Sequence, residues 1–193
     1  MSSPVIDRYE IDVLHLLVSP GHNYFGRPKD GPGGHPTDDL DEIRLVTGKG
    51  IVGDRFYGRA AHVDAAVTLL AIEALEAVAA DLGVAPFDPL LPRRNVVLRG
   101  ADVNGLRGSE FALEAPDGSA RAVLFGGRPA NPCAWLDRML APGAHAAFRG
   151  RGGLRCRVVA DGVLRRGPAV LVSPVELDRA AAGLPALRGG PLP

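Results

Sequence analysis

The chain is 193 residues long, 46% apolar and electrically neutral, its 22 basic residues balanced by 22 acidic ones. That length suits one domain with a real core, and no apolar run approaches the ~18–20 residues of a membrane span. Zero net charge argues against a protein built to hold a long polyanion. The two cysteines, Cys133 and Cys156, make neither a disulfide framework nor a paired-cysteine zinc site, and the acidic, proline-bearing start MSSPVIDRYEID is unlike a signal peptide. A cytoplasmic protein without nucleic-acid or membrane partners is expected.

Along the chain, IDVLHLLV (11–18) reads as a strand. The Gly/Pro-rich GRPKDGPGGHPTDD (26–39) reads as a long loop of the functional or mobile kind, and EIRLV (42–46) as a second strand. TLLAIEALEAVAADLG (68–83) reads as the long helix: Thr68 as cap, Leu69, Ile72, Leu75 and Val78 as an apolar stripe, Gly83 as stop. NVVLRG (95–100) is strand-like. EFALEA and ARAVLFG flank Asp117-Gly118 as a hairpin, and LRCRVVADGVLRRG repeats the device at Asp161-Gly162. Between the hairpins, ANPCAWLD predicts a short helix with Asn131 as N-cap and Pro132 in the first turn. These elements predict a β-rich, mixed α+β fold, barrel-like or a sandwich, with one long helix and at least one short one. One domain over 1–175 is expected, followed by a loosely packed tail over 176–193.

Cys133 would then occupy the second position of a helix, where free N–H groups and the dipole favour a negative sulfur able to attack an electrophile or bind a soft metal. Cys156 alternates with Arg155 and Arg157 along a strand and should face the core. A second constellation is made of arginines in polar or glycine-rich loops. Arg93, Arg94 and Asn95 precede a strand, Arg151 stands among glycines, and Arg55 follows Asp54. An arginine fork grips phosphate or carboxylate, and glycine turns can aim N–H groups at an anion, so a small phosphate-bearing ligand is expected. His22 and Arg27 lie in SPGHNYFGR at the end of the first strand. A cysteine hydrolase pairing Cys133 with His22 or His145 is a further option.

The order SPGHNYFGR, GIVGDRF, TLLAIEALEA, RRNVVLRGADVNGLRGSEFAL, PCAWLD and GRGGLRCRVVADG resembles the MOSC domain, the C-terminal domain of molybdenum-cofactor sulfurases, in its short stand-alone bacterial form. The resemblance implies a MOSC-like β-barrel that binds the molybdenum cofactor (molybdopterin), with Cys133 as the metal ligand. Arg93 and Asn95 match a stretch that contacts the cofactor in related reductases; Arg94, Arg55, Arg151 and Arg27 join them on position and chemistry. It further implies reduction of N-hydroxylated small molecules, with electrons from a separate reductase and His22 or Asp54 handling protons. Alternatively, a Cys133 persulfide would carry sulfur received from a donor. The chain departs from the pattern at GGRPAN, where related members carry an acidic residue before the proline–cysteine pair.

Overall fold

The computed structural model describes residues 6–186. Its framework is a closed barrel of seven strands: β1 (Asp7–Val18), β5 (Val67–Ala71), β6 (Val96–Arg99), β7 (Glu110–Glu114), β8 (Arg121–Pro129), β9 (Leu154–Ala160) and β11 (Gly167–Ser173). Around the barrel the order is β1, β6, β5, β9, β8, β7, β11, and pairing of β11 with β1 closes the ring. Closure leaves these strands no free edge. β5 and β6 are the one parallel neighbouring pair, joined by helix α1 (Ile72–Leu82) on the outside. Of the remaining strands, β2 (Asp38–Asp39) pairs with the end of β1. β3 (Glu42–Val46), β4 (Gly50–Ile51) and β10 (Gly162–Arg165) form a small second sheet.

The inward face is set by alternation. Ile11 and Val13 point into the barrel, the register of β1 shifts between Val13 and His15, and beyond the shift Leu16 and Val18 take over. Leu69, Val96, Leu98, Leu113, Leu124 and Leu154 fill the same core. Leu70 and Val97 point outward instead, under Leu75 and Val78 of α1 and Phe148. β5 is therefore buried on both faces, and its sequence lacks the polar alternation of a surface strand.

That double burial explains the first departure from expectation. Thr68 does not cap the helix: Val67–Ala71 is a strand and α1 begins at Ile72, with no side-chain cap. The apolar run VTLLA carries no periodicity to separate a buried strand from a helix. The rest of the helix follows the stripe, with Ile72, Leu75 and Val78 buried and Gly83 closing it in the left-handed conformation. The Asp117-Gly118 hairpin forms between β7 and β8. The Asp161-Gly162 hairpin does not, because β9 pairs with β8 and β5 while β10 pairs with β3. Asp161 instead accepts hydrogen bonds from the Thr47 amide and hydroxyl, both 2.7 Å. A Cβ on Gly162 would fall 2.1 Å from the Arg121 carbonyl oxygen. The Asp-Gly pair marks the corner where the chain leaves the barrel for the small sheet. After β11 the chain lays Leu177 and Ala182 into the core, and Arg179 donates to the carbonyls of Gly100 and Glu10. Residues 187–193 of the expected tail lie outside the described residues.

Candidate functional site

Arg93 is the one non-glycine with positive φ, 55°, among the described residues. The left-handed conformation costs a residue with a Cβ roughly 1–2 kcal/mol. Its buried guanidinium donates from Nη2 to the Ser19 hydroxyl at 2.6 Å and to the Gly21 carbonyl at 2.9 Å. Its Nε and Nη1 are also buried, and neither has a partner. Beside it Arg55, held 3.6 Å from Asp54, likewise buries an unpartnered Nε. Burial depresses the pKa of both guanidinium groups, and for Arg93 the charge of Arg55 adds to the effect. Strained backbone, two cations in one wall and idle buried donors are unfavourable for an empty structure and suited to an anion.

The neighbouring candidates are committed elsewhere. Asn95 uses its whole side chain inside the protein: Oδ1 accepts from the Thr68 amide and hydroxyl, and Nδ2 donates to the Leu17 carbonyl and to Asp54. With both donors and both lone pairs spent, it pins β5, β6 and the end of β1 together and has nothing left for a ligand. Asp54 is 5% exposed and accepts from Asn95, the Ser19 amide and the Phe56 amide, so it anchors the wall of the site from inside. Arg94 donates to the carbonyls of Gly152, Pro92 and Ala130. Burial brings its pKa down to about 10, with Arg155 adding to the effect. Arg151 pairs through Nη1 with Asp81 of α1, and its buried Nε has no partner among the described residues. The glycines beside it serve close packing: a Cβ on Gly152 would meet the Ala130 carbonyl oxygen at 2.1 Å, and one on Gly153 the Leu69 oxygen at 2.0 Å. Arg27 is exposed on the long loop.

Cys133 is exposed, and its position differs from the expectation. Helix α2 spans only Trp135–Met139, so Cys133 precedes it; the Cys133 carbonyl accepts the Leu136 amide in the turn that leads in. The chain before it is still tied to the barrel, with the Ala130 amide on the Gly153 carbonyl at 2.8 Å and the Ala130 carbonyl on Arg94. A five-residue helix starting beyond the sulfur gives it little dipole. Charge reaches it from guanidinium groups instead: a thiolate at Cys133 would hold the protons of Arg94 and Arg155 more firmly. Among the described residues no histidine hydrogen-bonds Cys133, which removes the hydrolase pairing with His22 or His145. Cys156 is fully buried, and desolvation pushes its thiol pKa up.

Tyr24 was not among the expected site residues, yet it joins the two halves of the site. Its ring stacks on Trp135, two residues from Cys133, and faces the Arg93 guanidinium. His22 lines an open cleft of about 440 Å³ with Arg55, Phe56, Arg59 and His62. His62 and Arg59 also escaped the sequence reading, because GRAAHVD has no recognisable spacing. His35 lies over Gly21, and Asn23 holds the long loop closed by two hydrogen bonds to the backbone of His35, 2.8 and 2.9 Å.

No family model matches the sequence, and no curated protein does. Solved structures do. The YuaD protein from Bacillus subtilis superposes with a TM-score of 0.67 at 19% identity, covering 89% of this chain and 100% of that one. The fold is a MOSC-like barrel. YiiM from Escherichia coli matches at 0.55 and 22% identity, over 92% of this chain and 77% of that one. YiiM from Geobacillus stearothermophilus matches at 0.57 and 17%, over 86% and 75%. The MOSC-like barrel here contains no helix, among the described residues, long and apolar enough to cross a membrane.

Proposed function

We propose that this chain is a MOSC protein that binds the molybdenum cofactor and reduces N-hydroxylated small molecules with electrons from a separate reductase. The observation that carries the reading is the pair of buried, unpartnered donors of Arg93, held on strained backbone one tyrosine ring away from the segment bearing Cys133. Arg93 and Arg55 would hold the pterin phosphate, and the Cys133 thiolate would ligate molybdenum. Among the described residues no cluster of three His, Cys, Asp or Glu could hold a metal ion alone. A metal at Cys133 must bring most of its ligands with it, as dithiolene-bound molybdenum does. When bound, the group supplies two-electron removal of oxygen from the N–OH bond, water being the second product. The chain's own part is to grip the phosphate, to fix the Cys133 loop through Arg94, and to offer His22 as a proton-handling side chain in the cleft. Asn95, Arg94 and Asp54 act as positioning residues, since their polar atoms are spent on the protein.

One observation favours a second reading. Cys133 is open to solvent, and Asp137, the acid next along the chain, accepts the His145 amide through Oδ1 at 2.7 Å. An accessible thiol suits a carrier: once deprotonated it would attack the outer sulfur of a donor persulfide, taking that sulfur as the donor leaves as thiolate.

Metal and pterin content after anaerobic purification from a host that makes the cofactor tests the first reading. Wild type is expected to hold about one molybdenum per chain; Cys133→Ser loses the metal, and Arg93→Ala loses metal and pterin together. Folded wild type without molybdenum, but with a persulfide on Cys133 after exposure to a sulfur donor, selects the carrier.

A further inference from the structure

The open cleft beyond Arg55 carries two side chains, Arg59 and His62, that the cofactor reading does not use. Its volume, about 440 Å³, falls within the ~300–1,000 Å³ of small-molecule sites. Arg55, Arg59, His22 and His62 line it, and no carboxylate does. The Arg55 guanidinium lies 4.6 Å from the Phe56 ring centre, and that ring lies 4.3 Å from the His62 ring at a tilt of 36°, so the three side chains form one continuous wall. Two buried polar atoms in this wall, Arg55 Nε and His62 Nδ1, have no protein partner. Asp54 is the carboxylate paired with Arg55, and it is already spent on Asn95 and two backbone amides. The backbone of Arg59 is fixed by its turn: its amide donates to the Phe56 carbonyl, and its own carbonyl accepts the His62 amide at 2.8 Å.

A basic, aromatic-walled cleft with idle buried donors is built for a small organic anion. We propose that it binds the carboxylate or phosphate-monoester group of the substrate, holding the rest of the molecule toward the Cys133 side of the site. In calling the occupant a substrate, this rests on the reductase reading above; the anion site itself does not. Burial and the charges of Arg55 and Arg93 lower the pKa of His22, which leaves the arginines as the main source of charge in the cleft.

The test is calorimetric titration of the cofactor-free protein with benzoate, phenyl phosphate and the neutral benzamide. One anion site per chain that survives Arg93→Ala is expected, with benzamide at least about tenfold weaker than the better anion, as loss of a charge-assisted hydrogen bond requires. Which anion wins distinguishes carboxylate from phosphate. Arg59→Ala, at an exposed position, should weaken binding about tenfold. His62→Phe, which keeps the ring against Phe56, should weaken it as well. Arg121→Ala, remote on β8 and paired with Glu114, controls for loss of general charge. Equal binding of anion and benzamide, or wild-type affinity in Arg59→Ala, overturns the proposal. So does loss of molybdenum from Arg59→Ala, which would assign the cleft to the cofactor. Wild type lacking molybdenum would refute the reductase reading and leave this titration fully readable.

Discussion

Tyr24 lies almost flat against Trp135, ring centroids 5.3 Å apart and planes 14° from parallel. Its hydroxyl donates to the Leu91 carbonyl at 2.5 Å, and the other neighbour of its ring is the Arg93 guanidinium, 5.4 Å from the centroid. One side chain thus joins the loop after β1, the turn before β6 and the Cys133 segment, which are far apart in sequence. Tyr24→Ala should cost roughly 2 kcal/mol, from the lost stack and buried ring area. Tyr24→Phe, which gives up only the hydroxyl bond, should cost about 1 kcal/mol. Trp135 is the only tryptophan, so its emission reports the site directly. The spectrum should shift to the red in Tyr24→Ala and stay in place in Tyr24→Phe. Identical spectra and urea midpoints in all three proteins would refute the joint.

Arg93 and Asn95 are close in sequence and opposite in consequence. Asn95→Ala removes the side-chain partner of the Thr68 amide and the Leu17 carbonyl and one of the donors to Asp54, and should cost about 2–4 kcal/mol. Arg93→Gly removes a buried, half-satisfied cation and relaxes the positive φ, so it should be about 1 kcal/mol more stable than Arg93→Ala. Both Arg93 variants should lose phosphate binding, followed with inorganic phosphate. If Arg93→Ala matched Arg93→Gly in stability, the strain assigned to this position would be absent.

His22 links the cleft to pH. Burial first, then the charges of Arg55 and Arg93, lower its pKa in the folded protein below the unfolded value of 6.5. The unfolded chain therefore binds this proton more tightly. The group costs no stability above pH 6.5, and stability falls as pH drops through that value toward the folded pKa. His22→Gln should flatten the decline in urea midpoint between pH 7.5 and 5 relative to wild type. Parallel profiles would mean that the ring is as easily protonated in the fold as outside it.

Much of the fold is legible in the sequence because its signals are local. The Asp117-Gly118 hairpin, the strands at 42–46 and 95–100 and the stop at Gly83 each follow from a few adjacent residues. Thr68 was misread because a strand buried on both faces offers no alternation, and the cap-like threonine was serving Asn95 across the sheet. Asp161-Gly162 was misread because turn chemistry does not say which strand comes next, only that the backbone bends.

The site is legible in its residue types and less so in their roles. Arg93 and Arg55 lie side by side with idle buried donors, whereas Cys133 precedes the helix it was expected to open. The roles of Asn95, Arg94 and Arg151 depend on which carbonyls and carboxylates the fold brings to them, which only the assembled barrel decides. His62 carries no motif, and Tyr24, although it lies within SPGHNYFGR, shows its role only through what it touches.

The two thiols give the most direct check on the placement of the Cys133 loop. Cys133 is exposed, whereas Cys156 is wholly buried with its thiol pKa raised, so iodoacetamide should add one label to the native protein and a second only on unfolding. Arg94 holds the Cys133 loop by donating to the carbonyls of Ala130 and Gly152, and Lys cannot reproduce that planar fork. Arg94→Lys should therefore leave Cys156 protected in the native state while changing the labelling rate of Cys133 severalfold, and should shift Trp135 emission as the loop loosens. Arg128→Lys, changed on an exposed neighbouring arginine, should leave both readouts as in wild type. If Arg94→Lys labelled Cys133 at the wild-type rate, Arg94 would hold the barrel wall alone, and the position of the sulfur would be set by the Tyr24–Trp135 stack.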